Sequence, residues 1–338
     1  MEKKIKKRTA VVFTALLILV TGAFFVNILV GNVRISPQEI AEVFAGKSTD
    51  TKIINIIMTI RLPRAVMALV LGGALAVSGF LLQTYFANPI AGPYILGISS
   101  GAKMVVALTL IFFAGKIGRV SNLLLVFAAF VGAITATGFI IMISKKVRSM
   151  SALLAAGIMI GYICSAITDF LVTFAEDSDI VNLHSWSQGS FSGANAEGAL
   201  FSVIIVGITF FAVVLFSKTL DAFRLGEGYA RSVGVNVKLC RIVIIILSGI
   251  LSACVTAFAG PVSFIGIAVP YLMREVLKSS KPILLIPASF LSGAVFCMLS
   301  DLLARMLFAP TEMNISAVTS LFGAPIVIFM IIRRGKSR

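Results

Sequence analysis

The residue types that carry out covalent chemistry are thinly spread in this sequence. There is one histidine, His184, two positions before the only tryptophan, Trp186, and a lone histidine beside an interfacial tryptophan reads as a surface residue. The four cysteines (Cys164, Cys240, Cys254, Cys297) lie singly inside apolar stretches without a CxxC pair, so they read as small packing residues and not as a disulfide framework or metal site. The nearest approach to a phosphate-binding loop, Ala41–Ser48 with Gly46-Lys47-Ser48, lacks the first glycine and a preceding strand. Gly226-Glu227-Gly228-Tyr229-Ala230-Arg231 follows a dinucleotide fingerprint until arginine replaces its last glycine. No nucleophile, base and orienting acid can be assembled, so the chain alone is not expected to be an enzyme. The remaining chemistry is charge recognition by a few ionic groups at or within apolar runs: Arg61, Arg64, Lys103, Asp169, Asp301 and Arg305.

Those groups must be positioned by very apolar elements. Of 338 residues 59% are hydrophobic and 13% charged, against about 25% charged in an average soluble domain. A spanning helix needs about 20 mostly apolar residues. Apolar runs and breakers divide the chain into ten such candidates, at 10–30, 63–84, 93–113, 122–144, 150–174, 197–217, 237–258, 263–278, 283–304 and 316–333. The sequence therefore predicts an all-α, polytopic integral membrane protein forming a single transmembrane domain over 1–338. The runs 93–113 and 263–278 are interrupted or short, as membrane backbone can be where it is buried in protein or lines a cavity. A net charge of +15 would suggest nucleic acid in a soluble protein, but here the basic residues form short clusters between spans. The first run, 10–30, is longer than a signal-peptide core and is read as an uncleaved span.

With both termini in the cytoplasm, the cytoplasmic segments would hold twenty Lys/Arg and the outer ones eight, including Lys116 and Arg119. That bias satisfies the positive-inside rule and disfavours the inverted arrangement. Small residues at four-residue spacing, Ala68-Gly72-Ala76 and Ser316-Ser320-Ala324, mark faces for close helix approach. Ser36-Pro37-Gln38-Glu39 has the cap, proline and glutamate of a helix start, and Ile40, Val43 and Phe44 share one face. A short helix lying on the outer membrane surface is expected there.

Longer motifs run through the chain in order. They are Arg61-Leu62-Pro63-Arg64, Gly72–Gly79 leading to Gln83, Asn88-Pro89-Ile90-Ala91-Gly92-Pro93, Leu96–Ala102, Leu225–Val235, Gly260–Gly266, Val269-Pro270, Asp301–Arg305 and Gly323-Ala324-Pro325. In these the sequence closely resembles the permeases of type II ATP-binding-cassette importers for iron–siderophores, haem and vitamin B12. The resemblance implies a bacterial inner-membrane permease paired with a second one, identical or homologous. It also implies two cytoplasmic ATPase subunits that bind ATP and Mg, and an extracytoplasmic binding protein that delivers a metal chelate, an iron–siderophore by preference. No cofactor, metal or nucleic acid is expected on this chain.

By the same resemblance Arg61, Arg64 and Arg305 form a positive rim for the binding protein. Guanidinium suits that task because it grips carboxylates bidentately and stays charged. Leu225, Gly226, Glu227, Ala230, Arg231 and Gly234, within a cytoplasmic loop at about 219–236, form the segment that docks in the ATPase. Independently of resemblance, Gly234 is placed to end a short helix in the left-handed region and Asn236 to cap the next span. Gln83, Asn88, Pro89, Ser99, Ser100, Lys103, Gly260 and Pro261 are candidates for the translocation path. Two departures stand out: Tyr271 follows Pro270 where the family commonly has histidine, and Lys103 stands where small residues are usual, with Asp169 a candidate partner. The rival readings are an ion-coupled secondary transporter, which usually carries more intramembrane acids than this chain, and a scaffolding membrane protein, which needs no coupling loop.

Overall fold

A computed structural model describes residues 2–117, 121–147 and 149–335. Arg119, Arg148, Lys336 and Arg338, used above in the charge bias, lie outside the described residues. Among the described residues the regular structure is helical: α1 Glu2–Leu29, α2 Pro37–Phe44, α3 Thr51–Asn55, a π-helical turn Ile56–Arg61, α4 Leu62–Tyr85, a 3₁₀ turn Pro93–Leu96, and α5 Ile98–Ile117. The chain continues through α6 Asn122–Lys146, α7 Met150–Val172, α8 Asp177–Ser187, α9 Ala196–Leu215, α10 Ser217–Phe223, α11 Glu227–Ser232, α12 Val237–Ala259, α13 Ile265–Leu277, α14 Pro282–Met306 and α15 Ile315–Gly335. Eight of these runs are long and apolar enough to cross a membrane, with α3, the π turn and α4 counted as one continuous run. The other two expected spans are the interrupted ones. The first breaks at Gly97 (φ +71°) between the 3₁₀ turn and α5. The second shrinks to the 13 residues of α13, about 20 Å of helix against a hydrocarbon core of about 30 Å.

Helix ends follow their capping residues. Ser36 and Glu39 form a reciprocal capping box on α2, and the side chains of Ser121, Ser149, Asn195 and Asn236 accept from the first turns of α6, α7, α9 and α12. The Ser36 N–H donates to Glu39 Oε2 (2.7 Å) and, together with the Ser36 hydroxyl, depresses the Glu39 pKa. Helix α2 forms where Ser36–Glu39 predicts it. Ile40 and Val43 pack with Ile28 of α1, Ile57 of the π turn and Ala65 of α4, while Phe44 stays exposed, so α2 lies on the protein's own end. Helix α8, polar enough to read as loop, buries only Leu183.

The core is organised around α4, which is buried along nearly its whole length and packs against α14, α12, α13 and α9. Without a hydrophobic effect to drive helices together in lipid, small residues decide where they meet. A Cβ at Gly72 would fall 2.6 Å from the Gly293 carbonyl oxygen of α14, and one at Gly79 only 1.7 Å from the Gly266 oxygen of α13. The Ala68-Gly72-Ala76 stripe is thus the α14 contact. On α15 the buried face is one position over from the expected stripe: Gly323 lies under Phe264, and Ser316, Ser320 and Ala324 are half-buried. A serine knot ties α4 to α12, with Ser78 Oγ 3.0 Å from Ser248 Oγ and 2.6 Å from Ser252 Oγ.

The start of α1 and the end of α15 lie at one end of the bundle, the termini-bearing end. Arg8 Nε donates to the Val276 carbonyl of α13 (2.6 Å), and Arg333 of α15 pairs with Glu275 at 3.3 Å. The loop joining α9 to α12 is at this end too, since Phe223 of α10 stacks on Tyr85, the last residue of α4, with ring centroids 6.2 Å apart.

Candidate functional site

The three arginines meet at the opposite end, but they do not form an open rim. Their relative exposures are 4% for Arg61, 7% for Arg64 and 6% for Arg305. Arg61 folds back onto the end of α1, donating through Nη1 to the carbonyls of Ile28 (2.7 Å) and Leu29 (3.0 Å) and through Nη2 to that of Val33. The last carbonyls of a helix lack intrahelical partners and carry partial negative charge, so a cation there answers both needs. Arg64 grips Asp301 of α14 with Nε (3.0 Å) and Nη2 (2.9 Å), and reaches Glu312 in the α14–α15 loop with Nη1 (3.0 Å) and Nη2 (3.1 Å). Arg305 donates to the Asn27 carbonyl (2.7 Å) and side-chain oxygen (2.9 Å), with its Nε 3.9 Å from Asp301.

The expected exposed rim is therefore corrected to a buried cluster, in which three cations are balanced by two acids and by carbonyls. Its physical reason is desolvation: unpaired guanidinium at a helix end inside a membrane protein is costly, and carboxylates and helix carbonyls are within reach. Asp301 stands four residues before Arg305 on α14, but its closer partner is Arg64, 237 positions away. Glu312 and Asn27 were missed. Asn27, a lone amide within the first apolar run, was a readable signal; Glu312 in a polar loop offered none. Burial favours neutral Glu312, yet hydrogen bonds from Arg64 and Ser192 outweigh it and hold its pKa below the usual carboxylate range.

At the termini-bearing end, Gly226 (φ +112°) opens α11 and Gly234 (φ +85°) closes it. Gly234 N–H donates to the Arg231 carbonyl and Val235 N–H to that of Ala230 (2.9 Å), the two bonds of a Schellman cap. Asn236 caps α12 as expected, with Oδ1 3.1 Å from Leu239 N. Glu227 is locked to Arg241 of α12 (Nε–Oε1 2.8 Å), with Arg231 at 3.9 Å. Ala230 is a correction: it is 0% exposed and faces its own chain, so it cannot be the surface a partner touches. The outward apolar residues are Leu225, Tyr229 (50% exposed) and Val233 (52% exposed), the last two not singled out in sequence. Residues at i and i+4 share a helix face, which the inward Ala230 had obscured.

The path candidates do not form one channel wall. Gln83 is buried and donates to the Ile267 carbonyl (3.0 Å), tying α4 to the first turn of α13. Gly260 (φ +70°) lies against the Trp186 carbonyl, and the Pro261 carbonyl accepts from Ser316, so both belong to a junction of α8, α12 and α15. Asn88 Oδ1 accepts from Ile90 N (3.1 Å) and shapes the turn holding buried Pro89. Asn88 and Ser100 do share a cavity of about 340 Å³ with Tyr94, Ile158 and Tyr162. Ser99 and Lys103 are half-buried on α5, outside that lining. Asp169 is exposed on α7 and makes no ion pair with Lys103 among the described residues. Tyr271 is buried against α15, packing with Ala268 and Val327.

Among the described residues, eight long apolar helices packed through glycines around a buried α4 define the class as a polytopic membrane protein. The FecCD transport family matches residues 16–333, and the chain belongs to that family. It is 34% identical over 86% of its length to the hemin transport system permease HmuU of Yersinia pestis, covering 87% of that protein. It is 32% identical to the vitamin B12 import system permease BtuC of Vibrio vulnificus (strain CMCP6), over 98% of this chain and 96% of that one. A solved metal-chelate type ABC transporter in an inward-facing conformation superposes with a TM-score of 0.84 at 27% identity, covering 96% of this chain and 99% of its own.

Proposed function

We propose that this permease moves a metal chelate, by preference an iron–siderophore, into the bacterial cytoplasm. Haem and cobalamin are the alternatives raised by the names of its relatives. A second permease, identical or homologous, completes the path. Two ATPase subunits hold the ATP and Mg and dock at the termini-bearing end, which faces the cytoplasm. The observation that carries this reading is α11: a helix held rigidly from its own side by the Schellman cap and the Glu227–Arg241 pair, yet presenting Leu225, Tyr229 and Val233 to the outside. Exposed apolar side chains on a fixed helix at a polar membrane face suit a partner's groove.

An extracytoplasmic binding protein docks at the arginine end. Because Arg61 and Arg305 are spent on α1, its carboxylates compete there with Glu312 for Arg64. Proteoliposomes test the scheme. Uptake of a ferric siderophore that requires added ATPase subunits and survives an ionophore supports it; gradient-driven uptake without ATP overturns it. Preference for haemin or cobalamin over the siderophore under the same conditions overturns the cargo assignment alone.

A further inference from the structure

A groove of about 710 Å³ opens at the termini-bearing end, between the start of α1, the end of α10 and the α13–α14 turn. Lys6, Arg224, Lys278 and Lys281 line it, with Ala10 and Leu284 among its apolar wall residues. Arg224 is paired with Asp221 at 2.5 Å, and the nearest other acid along the turn, Glu275, is engaged by Arg333. The turn is built to project its lysines: Lys278 adopts the left-handed region (φ +46°), where a side chain is strained, and Lys281 N–H donates to Ser279 Oγ (3.3 Å). Lys281 also precedes α14, whose 25 residues direct the positive end of the helix dipole toward the same place.

The height of the groove matters as much as its charge. It lies near the start of α1, at the end of α13 and at the start of α14, where the apolar stretch of each gives way to charged residues. Arg8 fixes α1 there through the Val276 carbonyl. Beyond the cations, the surface continues into exposed apolar side chains, Val11 and Leu17 of α1 and Ile283 of α14. A phosphate would meet Lys278 and Lys281, with Lys6 and the Asp221-paired Arg224 at its edge, while the chains attached to it ran along α1. A soluble acidic peptide would leave that apolar continuation uncovered.

We propose that this groove is a binding site for an anionic phospholipid, its phosphate held by Lys278 and Lys281 beside Lys6 and Arg224. Basic pockets between spanning helices at the cytoplasmic face are chemically suited to such headgroups. The site is separate from α11 and from the arginine cluster, so it stands whichever chelate is carried.

The full-length permease, purified and delipidated in neutral detergent, is titrated with phosphatidylglycerol and with phosphatidylcholine while thermal unfolding and retained lipid are measured. Phosphatidylglycerol is expected to be retained and to raise the Tm more than phosphatidylcholine. In Lys278→Gln/Lys281→Gln its affinity falls about 30-fold, which is about 2 kcal/mol for two cations at about 1.4 kcal/mol per tenfold. Lipid-free Tm stays unchanged, because both side chains are exposed. If the double variant does not fold, Lys281→Gln alone is expected to lose about fivefold. Equal response to the two lipids, or a variant that answers phosphatidylglycerol like the parent while losing its ATPase subunits, overturns the proposal. So does inorganic phosphate reproducing the stabilisation.

Discussion

Replacing Arg64 by methionine isolates the central interaction of the arginine cluster. The guanidinium makes hydrogen bonds of 2.9–3.2 Å to both oxygens of Asp301, whose side chain is 1% exposed. After the substitution Asp301 keeps only Arg305 Nε at 3.9 Å, beyond hydrogen-bond reach. Leaving one member of a buried ion pair uncompensated costs about 3–5 kcal/mol. Asp301→Leu should cost less, because Arg64 retains Glu312. The double variant Arg64→Met/Asp301→Leu should recover much of the single loss, since removing both charges of a buried pair is often close to neutral. Unfolding of the three variants in mixed micelles closes the cycle, with a coupling of about 2 kcal/mol or more expected. Additive losses, or an Arg64→Met variant within about 0.5 kcal/mol of the parent, would refute the buried-pair argument. The same reasoning disqualifies charge reversal at Arg61 and Arg64 as a docking assay, because it would break helix ties before any partner is met.

Three further outcomes are expected. Glu312 has a folded pKa below its ordinary value of 4.5, so its tie to Arg64 stabilises the fold above about that pH and is lost as pH falls through the depressed value; Glu312→Gln should flatten that acid limb of a Tm–pH profile. Gly79→Ala places a Cβ 1.7 Å from the Gly266 oxygen, more than the usual overpacking cost of about 1–3 kcal/mol can absorb, and should separate α4 from α13, read as lost folded yield and transport. Tyr229→Asp/Val233→Asp should abolish co-purification of the ATPase subunits at unchanged permease stability, whereas Ala230→Trp should destabilise the permease itself; the opposite pattern would mean α11 is oriented the other way.

The sequence was most legible where one dominant effect decides the outcome. Apolar run length placed eight of the ten expected spans, the Ser36 and Asn236 caps set their helix starts, and the glycine of Gly234 found its left-handed cap. Motif resemblance placed the family. What could not be read was direction. Arg61 and Arg64 at the start of a span announce charge, but whether it points outward or onto a neighbour depends on Asp301, Asn27 and Glu312, which are distant in sequence. Ala230 failed for the same reason, a small residue being equally suited to a partner's groove and to its own core. The α15 stripe was misread by one position because Phe264, held at φ +63° outside any helix, chose Gly323 as its seat.

The Tyr85–Phe223 stack gives α4 a mechanical role. Its tightest contact, Gly79 on Gly266, is six residues from Tyr85 and fifteen from Arg64, or about 9 Å and about 22 Å along the axis. Were α4 to tilt about that contact, a displacement of about 1 Å at Phe223 would become about 2.5 Å at Arg64 by the ratio of the two arms, and the Gly72–Gly293 contact would carry α14 along with it. The short arm ends beside the loop that carries α11, and the long arm ends in the guanidinium that Asp301 and Glu312 hold. Displacement at the end that carries α11 would then reach Arg64 enlarged, and because Asp301 rides on α14 the bonds strained would be those to Glu312 in the loop beyond it.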